Sequence, residues 1–108
     1  KKKPALEHFV PLSWGHGGTI PENIYPLHGS LNGQKSSKNP FVFLEELTGY
    51  HRKKFEEVIR YIAKQNNMTW QELHKYVNWC EENKRTVEQV IADNERGLTS
   101  IDLYKLSN

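Results

Sequence analysis

Glu7-His8-Phe9-Val10-Pro11-Leu12-Ser13 sets a carboxylate beside an imidazole on a short apolar run, and what surrounds it decides the fold. Ala5-Leu6-Glu7-His8-Phe9-Val10 predicts a strand that ends at Pro11. Gly15 and Gly17-Gly18 then mark a glycine-rich loop. Asn23-Ile24-Tyr25-Pro26-Leu27-His28 predicts a second short strand. Pro26 lacks an N–H, so this strand belongs at an edge or is irregular. Ser30 can cap a short helix that runs through Asn32 and Lys35.

Beyond Asn39 the pattern changes. All five prolines lie at or before Pro40, and helical periodicity takes over after it. Asn39-Pro40 reads as an N-cap followed by proline at the first helical position. Phe41, Leu44 and Leu47 share a face, and Gly49 is expected to end that segment. Phe55, Val58, Ile59 and Ile62 predict a helix from Tyr50 to Asn66. Thr69-Trp70-Gln71-Glu72 and Thr86-Val87-Glu88-Gln89 have the form of capping boxes. Leu73, Tyr76, Val77 and Cys80 form an apolar stripe after the first of them, Gly97 fits a helix stop, and a last helix is predicted over 99–106. The expected fold class is α+β, with a small ββα core in residues 1–38 and a mostly helical region in 39–108 packed on it.

The 108 residues suit one compact domain with a modest core. Charged residues at 26% and hydrophobic residues at 36% exclude a disordered tail. The lone cysteine, Cys80, excludes an internal disulfide and a four-thiolate zinc site. It suggests a reducing, cytoplasmic setting. No apolar run approaches a membrane span, so no membrane partner is expected. A net charge of +2 is compatible with nucleic acid but does not require it.

The chemistry concentrates in the first third. Phosphodiester hydrolysis needs a base for the attacking water and a cation to stabilise charge on the phosphate. A neutral histidine can accept the proton. Carboxylate and amide oxygens are hard ligands for Mg²⁺ or Mn²⁺. Glu7, His8, Asn23, Asn32 and Lys35 supply these parts.

In order and spacing, Glu7-His8, Phe9-Val10-Pro11, Gly17-Gly18, Asn23, Asn32 and Lys35 resemble the HNH family of His-Me finger (ββα-metal) nucleases. The resemblance covers residues 7–35. It implies a DNA endonuclease or nickase with His8 as general base and Asn23 hydrogen-bonding across the motif. It further implies one divalent ion, Mg²⁺ or Mn²⁺, on Glu7 and Asn32, and a phosphate contact from Lys35. Glu7 stands where aspartate is more usual in the family, and Asn32 where the second histidine would be. The zinc-binding cysteines of many members are absent, leaving the helical region to brace the core.

Further candidates are weaker. Lys38, Arg52, Lys53 and Lys54 could join Lys35 in a basic rim for DNA, although charge runs are usually solvated helix faces. His16, in the loop, and His28, just before Asn32, read either as DNA or metal contacts or as partly exposed polar residues. The resemblance suggests a protein of phage, mobile-element or restriction type. A second reading stays open: a non-catalytic nucleic-acid-binding domain on a decayed HNH scaffold.

Overall fold

The structure is a computed structural model and describes residues 5–27 and 35–107. The described residues form a mixed α+β protein. Strands β1 (Ala5–His8) and β2 (Ile24–Leu27) pair antiparallel. Glu7 stands opposite Tyr25 and His8 opposite Ile24. Successive side chains of a strand point to opposite faces. Glu7 therefore shares the face of buried Tyr25, and His8 shares that of half-buried Ile24.

Strand β1 is shorter than the sequence suggests, and β2 starts one residue later. Beyond His8 the chain bends, although the Phe9 N–H still donates to the Asn23 carbonyl at 2.8 Å. Asn23 closes a short 3₁₀ turn, Pro21–Asn23, and β2 begins after it. Of the helix expected over 30–35, only Lys35 is among the described residues.

Among the described residues five whole helices follow: α1 (Pro40–Glu46), α2 (Gly49–Gln65), α3 (Trp70–Glu82), α4 (Val87–Glu95) and α5 (Ser100–Leu106). The Asn39 side chain caps α1 by accepting from the Phe41 N–H. Gly49 does not end α1. Leu47 closes that helix, and Gly49, at φ +55°, opens α2 after Thr48. With so short a link, the glycine's left-handed backbone serves to redirect the chain. Complete capping boxes start α3 (Thr69 with Glu72), α4 (Thr86 with Gln89) and α5 (Thr99 with Asp102). The third uses aspartate in place of the usual Glu or Gln, which hid it from the sequence pattern.

One apolar core joins hairpin to helices. The Phe55 ring of α2 lies 5.1 Å from Phe43, 6.1 Å from Tyr25 and 6.5 Å from Phe9. Ile59, Ile62, Leu73, Val77 and Cys80 extend this core into α2 and α3. Burying each large side chain is worth roughly 1.5–3 kcal/mol. By contrast, α4 buries no residue, and its Val87 and Ile91 face solvent.

Candidate functional site

Asn23 closes the loop between the strands. Its Oδ1 accepts the Val10 N–H at 2.8 Å, and its Nδ2 donates to the carbonyls of Val10 at 3.1 Å and Gly18 at 3.0 Å. One buried amide thus grips the loop on both sides. Gly17 makes room for that amide. Its φ is +78°, and a Cβ there would lie 2.4 Å from the Asn23 Nδ2. A side chain is excluded by backbone conformation and by space alike.

His8 is half-buried, and its Nε2 lies 3.0 Å from Thr19 Oγ1. Nothing in the sequence singled out Thr19, because a threonine after two glycines reads as ordinary loop.

Lys35 departs from expectation. It is fully buried, and its Nζ donates to the His8 carbonyl at 3.1 Å. An ammonium placed there is turned away from any phosphate. Its aliphatic stem fills apolar space, and its head satisfies a strand carbonyl. Burial lowers the Lys35 pKa to about 8, against the opposing pull of the Glu7 carboxylate.

Glu7 is half-buried and, among the described residues, makes no hydrogen bond or ion pair. Beside it the buried Tyr25 hydroxyl has no hydrogen-bond partner among the described residues. Burial, and secondarily the Glu7 charge, push the Tyr25 pKa well above the usual phenol range, so the hydroxyl stays neutral. A carboxylate is the kind of oxygen donor a hard divalent cation takes, and Glu7 supplies one on β1. The expected second ligand, Asn32, lies outside the described residues, as does His28. Among the described residues no three His, Cys, Asp or Glu side chains converge.

The expected basic rim is largely partnered by carboxylates. Lys38 pairs with Glu46 at 2.6 Å, and Arg52 with Glu56 at 3.5 Å and Glu45 at 3.7 Å. Lys54 pairs with Glu57 at 4.0 Å and lies over the Tyr50 ring. Lys53 is exposed. All four sit at the surface or near it, where such pairs are weak and exchangeable.

His16 is a buried structural residue. It is 2% exposed, and its Nε2–H donates to the Asn83 carbonyl at 2.6 Å. The Ser100 hydroxyl donates to its Nδ1 at 3.0 Å and accepts from the Gly17 N–H at 3.0 Å. Burial lowers the His16 pKa, which keeps the ring neutral. Next to it, the Arg85 side chain donates to the Gly15 carbonyl at 2.7 Å and pairs with Asp93 at 2.8 Å. Hydrogen bonds from Arg85, then Arg96, hold the Asp93 carboxyl below its usual range. The start of α5 and the α3–α4 connection therefore clamp the glycine-rich loop. Partners this far along the chain leave no local sequence signal.

Comparison with protein-family models gives no match, and neither the curated proteins nor the solved structures give one. Among the described residues no helix is long and apolar enough to cross a membrane.

Proposed function

We propose that this chain is a metal-dependent DNA endonuclease or nickase built on a ββα-metal core of the HNH type. The observation that carries the reading is the hairpin end. There Glu7 and His8 stand side by side on β1, and the Asn23 amide ties the following loop back to Val10. Consecutive positions on a paired strand keep a base and a ligand at a fixed separation, with their side chains leaving opposite faces of the strand.

A divalent ion, Mg²⁺ or Mn²⁺, on Glu7 and Asn32 would draw charge from the scissile phosphate and the departing 3′-oxygen. His8 takes a proton from water as the water oxygen bonds to phosphorus. The P–O3′ bond breaks, and the leaving oxygen takes a proton from solvent. The products are a 5′-phosphate and a 3′-hydroxyl. Lys35 holds the His8 carbonyl and so fixes the strand that carries the base. Lys38, Arg52, Lys53 and Lys54 are available to the DNA backbone, because exposed ion pairs exchange readily for phosphate.

Supercoiled plasmid incubated with Mg²⁺ or Mn²⁺ tests the reading. The native protein should nick it, and His8→Ala should lose at least about a hundredfold in rate, the usual scale for a general base. Nicking by His8→Ala at the native rate would sink the assignment. DNA binding without nicking under either ion favours the non-catalytic nucleic-acid-binding domain instead.

A further inference from the structure

We infer that Thr19 is a positioning residue for His8: its hydroxyl accepts the Nε2–H and so leaves Nδ1 as the basic nitrogen. The inference rests on the reading of His8 as general base. Its geometric basis is the 3.0 Å separation between His8 Nε2 and Thr19 Oγ1.

The direction of that hydrogen bond follows from what a base must do. A neutral imidazole has one N–H and one lone pair, and the partner of one nitrogen decides the role of the other. Were the threonine to donate, Nε2 would be the lone-pair nitrogen and would already be occupied. Nδ1 would then carry the proton, and the ring would have no free site for a proton from water. When the threonine accepts, Nδ1 is free. The bond also survives proton uptake, since both nitrogens of imidazolium are donors. It becomes charge-assisted as the proton arrives, which strengthens it when it matters.

Thr19 is held where this requires. The preceding Gly18 carbonyl accepts from Asn23 Nδ2 at 3.0 Å, and its N–H donates to the His16 carbonyl at 2.9 Å. One residue earlier, the Gly17 N–H is fixed by Ser100 on α5. The loop approaches His8 already anchored to both the hairpin and the helical region, and among the described residues Thr19 alone hydrogen-bonds the imidazole. Threonine also has one preferred side-chain direction more often than serine, which suits a fixed acceptor.

The experiment combines histidine ¹⁵N NMR with plasmid nicking in Mn²⁺, for the native protein, Thr19→Val and Thr19→Ser. The His8 signal is assigned by its loss in His8→Ala. The native ring should be the Nε2–H tautomer. Thr19→Val should give a mixture of tautomers and cut about tenfold more slowly in kcat with KM unchanged, the scale of one lost hydrogen bond. Thr19→Ser should restore both readouts. A native Nδ1–H tautomer, or a Thr19→Val ring unchanged from native, overturns the inference. So does Thr19→Val cutting at the native rate while the native enzyme is active. A native protein that shows the expected tautomer but never nicks refutes the nuclease reading and, with it, the catalytic purpose assigned to Thr19, while the hydrogen-bond direction stands.

Discussion

The hairpin with its loop and the helices share one core but are held in place differently. In α2 and α3, Phe55, Ile59, Ile62, Leu73 and Val77 stand by apolar packing. The hairpin adds Phe9, Val10, Tyr25 and Leu27 to that core, yet its loop is fixed by polar groups. Of the buried polar residues, His16, Asn23, Lys35 and Ser100 all serve the loop or β1, whereas Asn39 serves the helices. A packed core can relax around a lost methylene. A buried carbonyl or N–H deprived of its partner has no such recourse. The candidate site therefore sits in the part of the molecule least tolerant of single polar substitutions.

The sharpest way to break this comparison is at the shared ring. Phe55→Ala should cost about 3–5 kcal/mol, measured by urea unfolding. Probes in the hairpin and in α3 should report one common transition. Two separated transitions would mean that the regions do not share a core. Next comes Asn23→Ala, which strips partners from the Val10 N–H, the Val10 carbonyl and the Gly18 carbonyl. The expected cost is about 2–4 kcal/mol. Hydrogen exchange should accelerate at Val10 while the α3 amides stay protected, and an equal loss of protection in α3 would erase the distinction.

A smaller effect should follow pH. The folded-state pKa of His16 lies below its ordinary value of 6.5 because the ring is buried, with Arg85 adding to the effect and the Asn83 carbonyl and Asp93 opposing it. The unfolded chain thus takes up this proton first as pH falls. The contribution of His16 is fully present above about pH 6.5 and is lost below it, toward the folded pKa. The stability difference between native protein and His16→Gln should shrink from pH 7 to pH 5. A difference that stays flat would show that His16 is not held neutral. The smallest effects belong to the surface: Lys38→Ala and Lys54→Ala should each shift stability by less than about 0.5 kcal/mol in thermal melts. A larger loss would mean that the helical surface also depends on its polar contacts.

The same contrast explains what could be read in advance. Helices announce themselves locally, through the spacing of Phe55, Ile59 and Ile62 and through Thr69 and Thr86 at their starts. The hairpin was legible from its glycines and from Pro11, and Asn23 was picked out as a bridging residue. Its anchors were not legible, since Asn83, Arg85 and Ser100 meet the loop only after the chain has folded. Lys35 was misread for a related reason. A lysine near a presumed phosphate site looks like an outward-facing cation, and only the strand carbonyl behind it explains an inward one. Thr19 carried no signal because its value lies in distance alone.

Cys80 has a practical consequence. It is the chain's only thiol, it is fully buried in α3, and burial pushes its pKa up to about 12. A thiolate-seeking reagent finds nothing to attack in the closed molecule, so the rate of labelling counts how often α3 lifts from the core. The protein carries its own stopwatch for opening, placed in the half of the molecule where no catalytic role is proposed.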